Sequence, residues 1–278
     1  MFQKRRELMK SSLAFSVRHA VVPVMGCNLL FPVRRVYCVG QNYADHAKEM
    51  GGHVSKSNPF FFTKPPDAVV SGETNHTAAM DVNIRYPPQT NNYQYEVELV
   101  VAIGESHDGR EKYRAISPLE AHTVIYGYAV GLDMTRRDLQ LAAKKNGKPW
   151  DLAKGADESA PLSAIVPVKL IREKASALFY ATDANYREAM NAKAQGGPTV
   201  LRRGDIELRV NGERRQKGNL SSFVTPVDEL LSILSHSIEL APGDLIFTGT
   251  PAGVSAVKPG DEVRATIEGV GEITARLH

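Results

Sequence analysis

The sequence predicts an α+β fold built on a mixed or antiparallel sheet, and three observations carry that expectation. Short apolar stretches recur at strand spacing along the chain, and the few helix starts with capping chemistry never alternate regularly with them. Hairpin-type turns stand at Asn211-Gly212 and at residues 269–271. The glycines form neither the dinucleotide-binding nor the P-loop pattern, so a doubly wound nucleotide fold is excluded. No internal repeat or low-complexity linker divides the chain.

Taken in order, residues 36–40 read as a short apolar strand ending in glycine, and Ala44, Ala47 and Met50 follow at helical spacing. Asn58 and Pro59 break that helix before a strand of Phe60, Phe61 and Phe62, which Lys64, Pro65 and Pro66 end in turn. From Tyr93 onward Tyr95, Val97, Leu99 and Val101 face one way, while Glu96, Glu98 and Val100 face the other. Ser117, Pro118 and Glu120 spell a capped helix start, predicting a helix to about Tyr126. Ala129 to Leu132 lead to Asp133 at a strand end, and a helical turn is expected over 135–144. Thr225, Pro226 and Asp228 repeat the helix-start chemistry, with Leu230, Leu231, Ile233 and Leu234 as its apolar stripe. Residues 175–203 are the least patterned part and read as an excursion.

With 278 residues, 42% of them apolar and 23% charged, the chain has the balance of a globular protein with a core large enough to need no staples. Lys plus Arg is 34 and Asp plus Glu is 31, so the net charge of +3 gives no reason to expect a nucleic-acid partner. Cys27 and Cys38 make neither a disulfide framework nor a zinc pattern, and no apolar run has the length of a membrane span, so no membrane is expected. Residues 1–18 carry Lys4, Arg5, Arg6, Lys10 and Arg18 against Glu7 alone, with Ser11, Ser12 and Ser16 between apolar residues. That composition fits a mitochondrial presequence and equally a basic, frayed N-terminus, so the expected location is cytoplasmic or mitochondrial.

Glu96 and Glu98 project from one strand face toward a core, where paired carboxylates are costly unless a cation sits between them. A strand with one solvated face is the alternative. Asp133 would complete an all-oxygen set suited to Mg2+ or Mn2+, although it also fits an N-cap. His46 and Glu49 lie three apart on a helical pattern, within reach of one another. They fit a general base oriented by a carboxylate, and equally a surface pair. Lys154, near the only tryptophan, Trp150, fits a cation for a developing oxyanion or a loop lysine. Thr248 to Pro251 display amides and hydroxyls at a strand end, as a simple tight turn also would.

In this order, YCVGQNYADHAKEM (residues 37–50), PFFFTKPPDAVV (59–70), YEVEL (95–99), GYAVGLDMTRRDLQ (127–140), residues 148–161 and GDLIFTGTPAGV (243–254) resemble the fumarylacetoacetate hydrolase family. The resemblance runs from about Phe31 to the C-terminus, leaving residues 1–30 as an extension before a catalytic domain over 31–278. Around Trp150 it is closest to the acylpyruvate and fumarylpyruvate hydrolase branch. It implies a mixed β-roll with short flanking helices, paired as a homodimer. It further implies Glu96, Glu98 and Asp133 as metal ligands, His46 with Glu49 as a water-activating pair on a mobile lid, and Lys154 beside the reacting oxygens. Lys64, Arg137, Gln140, Gly249 and Thr250 would then bind substrate. Two departures are Ala156, where related sequences have Phe, and the long excursion at 175–203.

The expectation from these residues is a Mg2+- or Mn2+-dependent hydrolase that cleaves a carbon–carbon bond in an acylpyruvate, a small-molecule 2,4-dioxo acid such as fumarylpyruvate. Oxaloacetate decarboxylation or keto-enol tautomerisation uses the same enolate chemistry and is one alternative. A non-catalytic metal-binding protein is another.

Overall fold

A computed structural model of the chain describes residues 14–52, 58–73, 77–106, 109–179 and 200–278. The expected targeting stretch therefore lies mostly outside the described residues, as do residues 180–199 of the excursion.

The chain opens with β1 (Val21–Pro23), β2 (Leu30–Pro32), β3 (Arg35–Gly40) and the short helix α1 (Ala44–Glu49). Next come β4 (Phe60–Lys64), β5 (Val69–Val70), β6 (Ala79–Ile84), β7 (Tyr93–Gln94), β8 (Val97–Ile103), β9 (Ile125–Leu132) and β10 (Thr135–Arg136). Two helices, α2 (Arg137–Lys145) and α3 (Asp151–Lys154), precede β11 (Ala160–Pro161), β12 (Val166–Pro167) and α4 (Val168–Ala175). The last part holds β13 (Asp205–Val210), β14 (Glu213–Asn219), α5 (Val227–Ser237), β15 (Asp244–Phe247), β16 (Ala256–Val257), β17 (Glu262–Ile267) and β18 (Gly271–Leu277).

A six-stranded sheet in the order β12-β9-β8-β15-β3-β4 packs against a five-stranded sheet in the order β14-β13-β17-β18-β6. Both are mixed, since β15 runs parallel to β3 but antiparallel to β8, and β18 runs parallel to β6. Period-two alternation explains the layering. Val97, Leu99, Val101 and Ile103 of β8 face the larger core, where they meet Ile206, Leu208, Val263 and Ile273 of the other sheet. Val100 and Ala102 point the opposite way, joining Val36, Cys38, Ala129, Leu245 and Phe247 in a smaller core. Both faces of β8 are thus buried, and the side chains of Glu96 and Glu98 lie at the end of the face that lines the smaller core. The β1–β2 hairpin closes that core with Val22 and Phe31. A boundary at residues 30 and 31 therefore falls inside this hairpin.

Three local expectations are corrected. Ser117 and Glu120 do form their box, with the Ser117 amide and hydroxyl donating to the Glu120 carboxylate at 2.9 and 2.7 Å. No helix to Tyr126 follows: a single 3-10 turn (Ala121–Thr123) gives way to β9, because Ile125 pairs with Ile103 and the Gly104 amide donates to the Val124 carbonyl. At α5, Pro226 takes the cap position with extended backbone, and the Thr225 amide donates to Asn42 Oδ1 at 2.8 Å. The turn expected over 135–144 splits into a two-residue strand, β10, and the helix α2.

Asp244 fastens the start of β15 to β3. Its fully buried carboxylate accepts from Arg34 at 3.0 Å, from Arg35 at 2.7 Å and from the Ala241 amide at 2.9 Å. Asp244→Ala leaves that amide unpaired and two guanidinium groups repelling each other. Because both arginines are partly exposed, the expected loss is about 2 kcal/mol rather than the full cost of a buried pair. Urea titration should show the midpoint falling at unchanged slope, and an unchanged midpoint would remove Asp244 as a clamp.

Candidate active site

Glu98 stands opposite Gly131 and Val97 opposite Leu132 in the antiparallel β8–β9 ladder. One step further sets Glu96 across from Asp133, whose amide donates to the Glu96 carbonyl at 2.9 Å. Directly opposed residues share a face, so register alone gathers the three acids. Each offers an oxygen within 4.8 Å of the others, and all three are buried.

Cations converge on this cluster from three other elements. Lys154 at the end of α3 puts its ammonium 2.7 Å from Glu96 Oε2 and 2.8 Å from Asp133 Oδ2. The Arg137 guanidinium at the start of α2 grips Glu96 Oε1, and also donates to Gln94 at 2.7 Å and to Gln140 at 2.5 Å. Lys64 lies behind Asp133, 2.8 Å from its Oδ1, with its protons directed to the Met134 carbonyl at 3.0 Å, Ser159 Oγ at 3.1 Å and the Lys154 carbonyl. Lys64 therefore does not reach the wall of the cleft, where it was expected as a substrate cation.

Among the described residues Glu98 receives a single donor, the Gly249 amide at 2.6 Å. Burial pushes its carboxyl well above the usual range, and the Asp133 and Glu96 charges push the same way. Glu96 goes the other way: burial raises it, but Lys154 and Arg137 outweigh that and hold it below the usual range. Burial opposes the charge on Lys154, yet Asp133 and Glu96 keep its ammonium more firmly protonated than usual. One acid of the three thus lacks a cation of its own. Asp133 Oδ1 is buried and, despite its nearness to Lys64, accepts no hydrogen bond. A carboxyl without a cation of its own and an all-oxygen donor set fit a hard divalent cation held by Glu96, Glu98 and Asp133.

His46 is buried on the inner face of α1, its Nδ1 3.2 Å from Glu49 Oε2. Glu49 also accepts the Gly253 amide at 3.2 Å, which ties α1 to the turn after β15. Asn42 ties the same turn from the other side, donating to the Thr248 carbonyl at 2.8 Å. Only glycine fits at 249: its φ is +100°, and a Cβ there would come within 2.6 Å of Asn42 Cβ. The Gly249 amide is spent on Glu98, so the neighbouring Thr250 is the member of this turn that reaches the cleft.

The cleft, partly open to solvent, lies between His46 of α1, Glu96 and Glu98, and one face of α2. Its outer wall is aromatic. Phe60 and Phe62 pack edge-on against Trp150 at ring separations of 5.3 and 5.8 Å. Gly40 makes room for this wall, because a Cβ there would fall 1.9 Å from the Phe60 ring. Phe60, Phe62, Trp150, Gln41, Leu141 and Lys144 line the cleft without having been singled out from sequence. The alternation of the Phe60–Phe62 run held the signal for two of them, since those two share a face while Phe61 packs against the larger core. Gln216 was also missed. Fully buried, it donates to Thr250 Oγ1 at 2.9 Å and accepts from the Val97 amide, between the two glutamates, at 3.0 Å.

Acids so deep in a mixed β fold define a protein built to carry a hard cation beside a small-molecule cleft. Residues 35–278 match the family model described as "Fumarylacetoacetate (FAA) hydrolase C-terminal". The chain belongs to the fumarylacetoacetate hydrolase family. It is 40% identical over 228 residues, 81% of this chain and 96% of the relative, to a fumarylpyruvate hydrolase of Ralstonia sp.. It is 36% identical over 244 residues, 88% of this chain and 91% of the relative, to the human mitochondrial oxaloacetate tautomerase FAHD1. Among solved structures, the fumarylpyruvate hydrolase of Pseudomonas aeruginosa in complex with Mn2+ and pyruvate superposes with a TM-score of 0.79. That pair is 39% identical, covering 96% of this chain and 99% of the other.

Because burial favours the neutral form of the Glu98 carboxyl, a cation bound there would compete with its proton. Affinity for Mn2+ should therefore rise with pH, by up to about tenfold per unit, with proton release seen by calorimetry in buffers of different ionisation enthalpy. Glu98→Gln should weaken binding by roughly a hundredfold and flatten that dependence. Unchanged affinity in the variant would remove Glu98 from the ligand set.

Proposed function

We propose that the protein is a Mg2+- or Mn2+-dependent hydrolase that cleaves the carbon–carbon bond of an acylpyruvate, with fumarylpyruvate preferred, to give pyruvate and a carboxylic acid. The observation that carries this reading is the His46–Glu49 pair set in the same cleft as the acid cluster. Decarboxylation and tautomerisation need no water nucleophile, whereas hydrolysis needs a base beside one. The fumarylpyruvate hydrolases among the relatives support the same substrate class.

In this mechanism a proton on His46 Nδ1 is donated to Glu49, which leaves Nε2 unprotonated and facing the cleft. His46 takes a proton from water as its oxygen attacks the C4 carbonyl of the substrate, and Glu49 stabilises the imidazolium that results. Thr250 accepts from Gln216 and so has its own hydroxyl proton to offer the oxygen that becomes negative at C4. The C3–C4 bond then breaks, its electron pair forming the enolate of pyruvate, which becomes pyruvate when C3 is protonated. Lys154 adds a fixed positive charge beside the 2-oxo acid end. A bound divalent cation supplies the Lewis acidity that stabilises this enolate.

The second reading, a tautomerase or decarboxylase acting on oxaloacetate, draws support from relatives such as the rat and human oxaloacetate tautomerases. We also read the assembly as a homodimer. Val21, Leu29 and Leu30 of the β1–β2 hairpin are 42%, 62% and 53% exposed, which supports a covered apolar surface. Light scattering that returns the mass of one chain would overturn that.

His46→Ala should lower kcat for acylpyruvate hydrolysis by about a hundredfold to ten-thousandfold while Mn2+ affinity is kept. Equal hydrolysis in the variant would remove His46 as the base, and a wild type that tautomerises oxaloacetate without hydrolysing any acylpyruvate would move the assignment to the second reading. Residues 43–50 form a short helix ended by Gly51 and Gly52, held to the body through Glu49 and Gly253. Their amides should exchange quickly with Mg2+ alone and slowly with Mg2+ plus oxalate, as a lid would. Equal protection in both states would make His46 a fixed residue.

A further inference from the structure

We propose that Lys144 binds a second carboxylate on the substrate, at the end remote from the acid cluster, so that the site selects 2-oxo acids carrying a terminal carboxylate over their monocarboxylate counterparts. This rests on the acylpyruvate reading for the chelating end of the ligand and goes beyond it in naming what reads the other end.

Four residues of α2 line the cleft, Arg137, Gln140, Leu141 and Lys144, at the spacing that puts them on one helix face. Along that face the character changes. Arg137 and Gln140 are buried beside the acids, Leu141 is half exposed, and Lys144 stands exposed at the mouth, about 10 Å of helix rise from Arg137.

The cleft's cations differ in what they are free to do. Arg137 is spent on Glu96, Gln94 and Gln140, and Lys154 on Glu96 and Asp133. Both are buried beside the acids, at the end of the cleft away from the mouth, and so do not serve a distal anion. Lys144 has no anionic partner among the described residues and projects into the same cleft. Between the two ends runs the Phe60–Phe62–Trp150 wall, which offers an unsaturated acyl chain contact without hydrogen bonds. A ligand anchored at the acids and lying along that wall therefore ends at a lone ammonium.

The test uses 2-oxoheptanedioate and 2-oxoheptanoate. These have the same chelating end and chain length, differ only in the terminal carboxylate, and lack the second carbonyl that hydrolysis requires. Quenching of Trp150, the only tryptophan, reads their binding to the full-length protein loaded with Mn2+. The wild type should prefer the dioate by about tenfold at low salt, Lys144→Arg should keep the preference, and Lys144→Met should bring the affinity ratio close to one. A wild-type ratio near one, or a preference that survives in Lys144→Met, overturns the proposal. If the ratios behave as expected but no 2,4-dioxo acid is turned over, Lys144 stands as a carboxylate reader and the acylpyruvate reading fails.

Discussion

Three carboxylates forced together by strand register, at nearly complete burial, are the constraint around which this molecule is arranged. Each buried charge left without a partner would cost several kcal/mol, so the sheet that creates the cluster must be met by elements that neutralise it. Lys154, Arg137 and Lys64 come from α3, α2 and β4, and all three turn inward at nearly complete burial. Glu98 alone is left to a backbone amide. The imbalance of charge is local rather than global, and it falls on Glu98.

The same constraint explains why the turn after β15 and the helix after β3 are stitched so closely. Gly249 must present its amide to Glu98, which fixes that turn. Asn42 then approaches too near for any side chain at 249, and its amide and carbonyl join Thr248 to Thr225. Gln216 repeats the device from the five-stranded sheet, joining Thr250 to the amide between the two glutamates. His46 and Thr250 are thus positioned by groups that answer first to the acids. A perturbation at Gln216 would move Thr250 and the ligand strand together, although it touches neither cleft nor acid oxygen.

The acids were legible in the sequence because alternation is a strict rule. Glu96 and Glu98 flank Val97, and apolar residues on both faces follow, so burial on the acidic face could be read directly. His46 and Glu49 were legible for the analogous helical reason. What escaped was whatever depends on how elements meet. Lys64 looks like any strand-end lysine until β4 is laid along β3, with its tip behind Asp133 rather than in the cleft. Gln216 lies on a strand whose sequence, ERRQKGN, reads as a solvated edge, and only packing shows it to be fully buried. The failed helix after Ser117 shows the converse. Its capping chemistry is intact and makes its hydrogen bonds, but one turn of helix does not outweigh the pairing of Ile125 with Ile103 in a central ladder.

The cleft accordingly has two ends of different physical origin. Its deep end is set by the β8–β9 register, where a one-residue slip would turn Glu96 and Glu98 to the face opposite Asp133, so it tolerates little variation. Its mouth is built from one face of α2, the tip of β4 and the loop around Trp150, where side chains exchange without disturbing register. Under the proposed function, the first end would carry the enolate chemistry and the second the choice of acyl group. A fold divided in this way keeps its acid cluster fixed while the outer wall of the cleft is rewritten.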